Sequence, residues 1–235
     1  VSTTSGYTGD VRPGGPPDVR VLDRAVVAKR SVGPTDNAAY VVACRATGLR
    51  MLVDAAADAS LLLELVEQVG EACPTGPLAV VVTTHRHRDH LGALADVVDA
   101  TGARTAAGAD DAEAIEGATG VEVTDPLLDG DVLALGELRL DVVHLRGHTP
   151  GSVALALVGA EDSGRSHLFT GDSLFPGGVG NTQGDPARFA SLIGDVTARL
   201  FEQYGDDTWV YPGHGRDTTL GAERPHLAEW RARGW

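Results

Sequence analysis

The chain has 235 residues, 43% of them apolar and 22% charged, a balance that excludes a collagen, a coiled coil and a wholly disordered chain. Its 33 acidic and 19 basic residues leave a net charge of −14, a field that repels phosphate backbones and argues against nucleic acid as a partner. Two cysteines are too few for a disulfide framework, which points to a reducing, cytoplasmic compartment, and no apolar run reaches membrane-spanning length, so no membrane partner is expected.

Residues 1–18 hold Gly6, Gly9, Pro13, Gly14, Gly15, Pro16 and Pro17 and read as a flexible tail, leaving 19–235 as the folded domain. The first ten residues lack the charged-then-apolar order of a signal peptide. Residues 19–32 and 38–46 are β-rich, and 51–53 is a short apolar run ending at Asp54. Residues 60–70, S-L-L-L-E-L-V-E-Q-V-G, predict a helix with Ser60 as its N-cap and a closing glycine. A buried strand follows at 78–84, then a helix at 91–100 with Gly102 just past its end. Short strands fit 105–107, 121–124, 132–135, 138–145, 152–158 and 167–170. Asp185-Pro186 opens a long helix, Asp as cap and Pro at the first helical position, that runs to about Tyr204. A last strand at 209–211 and a last helix at 224–233 complete the chain. With no internal repeat and no linker after residue 18, one domain with sheets inside and helices outside is the natural solution.

The decisive stretch is T-T-H-R-H-R-D-H, residues 83–90, between the buried strand and a helix. His85 and His87 stand two apart in an extended segment, so modest bending lets both imidazoles reach one ion. Asp89 and His90 come where the chain turns into the helix and point elsewhere. Four ligands from one short loop crowd a single tetrahedral ion, and two adjacent ions relieve that crowding. Three similar junctions supply further donors: G-H-T-P-G-S gives His148, L-F-T-G-D-S-L-F gives Asp172, and V-Y-P-G-H-G gives His214. Each follows an apolar run and is flanked by glycine. One such residue alone is ordinarily a turn residue, but four junctions of this kind mark a site.

On these stretches, together with V-D at 53–54, the sequence resembles the metallo-β-lactamase-fold hydrolases, and most closely their glyoxalase II-like (hydroxyacylglutathione hydrolase-like) branch. The resemblance spans about residues 20–220 and keeps the family's motif order. It implies an α/β fold, a four-layer αββα sandwich of two mixed sheets with helices on both outer faces and the site at one edge. It also implies His85, His87 and His148 on a first ion, Asp89, His90 and His214 on a second, and Asp172 bridging them. Neutral imidazoles and carboxylates suit zinc, with iron or manganese as alternatives. Asp54 would orient a ligand or the loop from behind. Two such ions would share and ionise a water, and the bridging hydroxide would attack an acyl carbon while Asp89 holds its proton. The expected reaction is hydrolysis of a small thioester or ester. Two alternatives share the fold: a lactonase with every ligand in common, and a persulfide dioxygenase-like oxidoreductase with one iron on His85, His148 and Asp172.

The chain also departs from the branch. Only 21 residues follow His214, so the C-terminal helical extension that helps glyoxalase II hold glutathione is expected to be missing. Where those relatives show a Gly-Arg pair, this chain has Gly180-Asn181, which argues against glutathione as the thiol carrier. The glycine-rich loop 174–182 is expected to wall the substrate pocket, with Phe175 and Asn181 as contacts. Both cysteines precede the histidine stretch, which disfavours a β-lactamase centre with a Cys ligand. Arg86 and Arg88 should point away from the ions, His144 should lie on a strand face, Tyr211 should be core, and His167 and His226 should lie at the surface.

Overall fold

The computed structural model describes residues 6–234. Its first sheet begins with β1 (Asp18–Val21), β2 (Ala25–Val32), β3 (Asn37–Cys44) and β4 (Arg50–Val53), joined antiparallel in sequence order. Helix α1 (Ala59–Gln68) then crosses to β5 (Leu78–Thr83), α2 (Leu94–Thr101) to β6 (Arg104–Gly108), and α3 (Ala109–Thr119) to β7 (Asp125–Leu127). These pairings are parallel, as helical crossovers require. The second sheet runs through β8 (Val132–Leu135), β9 (Leu138–His144), β10 (Val153–Leu157) and β11 (His167–Gly171). A small hairpin, β12 (Leu174–Phe175) and β13 (Gly178–Val179), and helix α4 (Pro186–Asp195) follow. The sheet then gains β14 (Trp209–Pro212), parallel to β11, and β15 (Thr218–Thr219), before α5 (Leu220–Glu223) and α6 (Leu227–Arg233).

The apolar side chains sort into three layers, which explains why β3 is buried at every position. Tyr40, Phe169 and Tyr211 lie between the sheets, their ring centroids 4.6–5.5 Å apart. Leu62, Leu65, Leu94, Val97 and Ile115 seal α1–α3 onto the first sheet, and Phe189, Leu192, Leu200 and Trp230 seal the C-terminal helices onto the second. The architecture is therefore the expected αββα sandwich. At one edge the sheets are stitched by Ala38 N–H to Gly213 O (2.8 Å) and Val153 N–H to Thr84 O (3.0 Å).

Several local expectations change. No strand forms over 121–124: the Thr119 hydroxyl takes the Val121 N–H, the Glu116 carboxylate takes that of Val123, and Thr105 takes that of Thr124. The ladder resumes only at β7. Helix α1 starts one residue before Ser60, behind Asp58 in a left-handed conformation (φ 55°), with no side-chain cap. Helix α4 passes at Val196 into wider π-helical turns that end at Phe201. His167 is fully buried rather than at the surface. Of the expected tail, residues 1–5 lie outside the described residues. From Tyr7 onward the segment touches the body: Tyr7 Oη donates to Asp217 (2.7 Å), and Lys29 Nζ donates to Gly9 O (2.7 Å).

Candidate metal centre

After β5 the chain does not enter a helix directly. It makes one tight turn, closed by His90 N–H to His87 O (3.0 Å) and Leu91 N–H to Arg88 O (3.2 Å). This turn sends His85 and His87 one way and Asp89 and His90 another. His148 arrives from the turn after β9, Asp172 from the end of β11, and His214 from the end of β14. Two groups result. The donor atoms of His85, His87, His148 and Asp172 lie within 4.8 Å of one another, and so do those of Asp89, His90 and His214.

Asp172 touches both. Its Oδ2 lies 3.6 Å from His148 Nε2 and 3.9 Å from His85 Nε2 on one side, and 3.5 Å from His214 Nε2 on the other. Its Oδ1 lies 3.4 Å from His90 Nε2. Glycine makes room for this convergence. A Cβ on Gly213 would stand 2.2 Å from Asp172 Oδ1, and one on Gly180 would stand 3.0 Å from His148 Nδ1.

Most of the imidazoles are anchored from behind. His85 Nδ1 lies 3.0 Å from Thr84 Oγ1, His148 Nδ1 2.8 Å from Asn181 O, His90 Nδ1 2.9 Å from Asp54 Oδ2, and His214 Nδ1 2.9 Å from Thr35 O. A proton held outward on Nδ1 leaves the Nε2 lone pair facing inward, the arrangement of a metal-ligating histidine. Asp54 is itself fixed, accepting the Thr84 N–H (2.7 Å) and hydroxyl (2.8 Å). It thus links His90 to the strand that delivers His85.

The electrostatics divide along the same line. Burial holds His85 well below the ordinary imidazole range, with the charge of His90 acting in the same direction, and burial also lowers His87 and His148. Burial opposes charge on His90, but Asp54 and Asp172 push it up to about 10. Burial likewise opposes ionisation of Asp172, but the His214 and His90 imidazoles beside it hold it far below the usual carboxylate range. Two buried atoms, His148 Nε2 and Asp172 Oδ1, have no hydrogen-bond partner. Lone pairs buried in this way are costly unless something positive meets them. Imidazole nitrogens and carboxylates converging in this way fit divalent metal ions.

The remaining candidates fall around the centre. Phe175 is half-buried, its ring 6.3 Å from that of His214. Asn181 is exposed and offers its backbone carbonyl to His148, while its side-chain oxygen accepts the Gln183 N–H. Arg86 and Arg88 are exposed and belong to neither group, and His144 bonds Pro150 O (2.7 Å). Two side chains went unnoticed in the sequence. Asp111, at the start of α3, accepts the N–H groups of Arg86 and Gly151 (both 3.1 Å) and the Thr149 hydroxyl. Asn37 lies against Asp89, His90 and His214. Neither sits in a motif that marks a site. Two sizeable cavities, of about 530 and 760 Å³, lie elsewhere. The cluster instead opens at the sandwich edge through half-buried His87, Asp89 and His214. Among the described residues no helix is long and apolar enough to cross a membrane.

Comparison with known proteins gives a family match and several relatives. The family model for the metallo-beta-lactamase superfamily matches residues 32–220. An uncharacterised protein of Mycobacterium tuberculosis is 30% identical over 203 residues, which cover 79% of this chain and 88% of the relative. The hydroxyacylglutathione hydrolase GloC of Haemophilus influenzae is 28% identical, over 74% of this chain and 83% of its own. Among solved structures, TTHA1623 in a di-iron-bound form superposes with a TM-score of 0.64 at 32% identity, covering 83% of this chain and 95% of that one.

Proposed function

The chain belongs to the metallo-beta-lactamase superfamily, and on that premise we propose that it is a dinuclear metal-dependent hydrolase of small thioesters or esters. The observation that carries the reading is the Asp172 carboxylate, which faces imidazoles of both groups within 3.9 Å and keeps a buried oxygen without a donor. In this reading His85, His87 and His148 hold a first divalent ion, Asp89, His90 and His214 a second, and Asp172 both. Bound together, such ions ionise water near neutral pH and polarise an acyl oxygen.

The chain's own residues do the rest. Asp54 keeps the His90 ring turned inward, and the backbone carbonyls of Asn181 and Thr35 do the same for His148 and His214. Asp89 has a partly exposed carboxylate and receives the proton of the attacking water. A thiol departs as thiolate, so no separate acid is required for a thioester. Phe175 and the hairpin that carries it form one wall of the substrate site, with Asn181 at its rim. The chain has no guanidinium at position 181, which favours a carrier other than glutathione. Zinc suits the donor set. Iron is the alternative, because a relative 32% identical was solved with two irons. Two free cysteines and an acidic surface fit a cytoplasmic enzyme of small molecules, with 19–235 as its catalytic domain.

The test is metal content by mass spectrometry on protein purified without chelator, paired with a panel of thioesters and lactones. Two ions per chain and thioester turnover are expected. Asp172→Ala should abolish turnover while far-UV dichroism stays near wild type. Lactone opening without thioester cleavage would move the assignment to a lactonase. One iron per chain with oxygen uptake on a persulfide would replace it with a dioxygenase. A protein that takes up no metal would overturn it.

A further inference from the structure

Asn37 is buried (1% exposed), and its amide nitrogen faces all three members of the Asp89–His90–His214 group. It donates to Asp89 Oδ2 at 3.1 Å and lies 3.4 Å from His90 Nε2 and 3.5 Å from His214 Nε2. Those three atoms are themselves 3.3–3.7 Å apart, so the amide caps the triangle they form. Its orientation is fixed from the far side, where the Thr35 hydroxyl donates to its oxygen. Its backbone pairs with that of His214, and the next residue, Ala38, donates to Gly213 O.

The two histidines of this group are tethered through Nδ1, His90 by Asp54 and His214 by Thr35 O. Asp89 lies in the tight turn after β5. Its side chain is 39% exposed, and Asn37 is the side chain that donates to it. The chemistry of the tether matters. A lysine or arginine there would neutralise the carboxylate and compete with a cation. A neutral amide orders the carboxylate and leaves its charge, and the accepting oxygen keeps a second lone pair for an ion. The segment Thr35–Asn37 thereby holds two of the three donors, although it belongs to the first sheet and His214 follows the second.

We infer that Asn37 is the positioning residue of the second ion: it holds Asp89 at ligand spacing with His90 and His214, so its amide governs the second ion and not the first. The inference rests on the dinuclear reading above. It is tested by titrating zinc against a chromophoric chelator in wild type, Asn37→Ala and Thr35→Val, and by melting the metal-free proteins. Wild type should take up two ions. Asn37→Ala should keep the first affinity and weaken the second by about 10–100-fold, as loss of a group that orients a ligand does. Thr35→Val keeps the amide but unties its oxygen, and should show a smaller loss in the same direction. It also carries the test if Asn37→Ala fails to fold. With thioester substrate, Asn37→Ala should recover kcat in excess zinc while needing more zinc to reach it. A merely structural role would instead lower the metal-free melting temperature and weaken both ions alike, which would overturn the inference. If Asn37→Ala binds both ions as tightly as wild type, the role of Asn37 falls and the dinuclear reading stands. If wild type takes up one ion only, both fall.

Discussion

Asp111 is fully buried, and its carboxylate accepts from two loops at once, from the Arg86 N–H between His85 and His87 and from Thr149 and Gly151 beside His148. It therefore fixes the separation of three of the proposed ligands without facing an ion. Asp111→Ala would leave the Arg86 and Gly151 N–H groups without their acceptor, at about 1–3 kcal/mol each where water cannot reach. We expect a loss of about 3 kcal/mol in urea unfolding of the metal-free protein, and a smaller loss for Asp111→Asn, which keeps one acceptor oxygen. Wild-type stability in Asp111→Ala would show that the two loops are held by other means. The same contrast explains what could be read in advance. His85, His87, Asp89, His90, His148, Asp172 and His214 each stand at a strand end beside glycine or other polar loop residues, a local signal. Asp111 and Asn37 act on residues 25 to 177 positions away in the chain, and nothing beside them in sequence announces it.

Among the elements, α4 was legible because its signals are local. The Asp185 side chain accepts the N–H groups of Ala187 (2.8 Å) and Arg188 (3.3 Å), and Pro186 follows it. The cap has a second consequence, because Arg188 in the first turn donates to the carbonyls of Gly147 (2.8 Å) and His148 and so docks the helix on a ligand turn. Asp185→Ala should cost about 1 kcal/mol, read as a lower thermal midpoint, with metal stoichiometry unchanged. A variant melting with wild type would show that Pro186 and Arg188 suffice to start the helix. By contrast α3 was missed. Its sequence, A-D-D-A-E-A-I-E-G-A-T, buries Ile115 but has no continuous apolar stripe to betray a 3.6-residue period. Residues 121–124 misled in the other direction. V-E-V-T has strand composition, but side chains of Glu116, Thr119 and Thr105 capture its N–H groups before a ladder can.

In the molecule as a whole the centre depends on both sheets keeping their places, and buried polar groups between them set those places. Lys29, wholly buried on β2, donates to Asp217 and Gly215 O (both 2.6 Å) and to Gly9 O (2.7 Å), tying the first sheet to the loop that leaves His214. His167, the first residue of β11, ties the second sheet to the loop that precedes it. Its Nε2 lies 2.9 Å from Glu161 Oε1 and its Nδ1 3.0 Å from Tyr211 Oη. A neutral ring satisfies both, donating to the carboxylate and accepting from the phenol. Burial, then the charge of Arg20, pushes His167 down to about 4 against the pull of Glu161, with Arg165 adding to the effect of Arg20. Unfolding returns the ring to its ordinary value of about 6.5. Between those two values the unfolded chain binds the extra proton, so the stability conferred by the neutral ring is complete above about pH 6.5 and drains away as pH falls toward 4. Buried His85 and His148 add to the same trend and His90 opposes it, so the contribution of this one is read as a difference. His167→Gln offers an amide donor and acceptor to the same partners and cannot titrate. Its urea midpoint should therefore fall less than that of wild type between pH 6.5 and about 4.5. Curves that run parallel over that interval would mean that His167 keeps the same affinity for protons in the folded and unfolded chain.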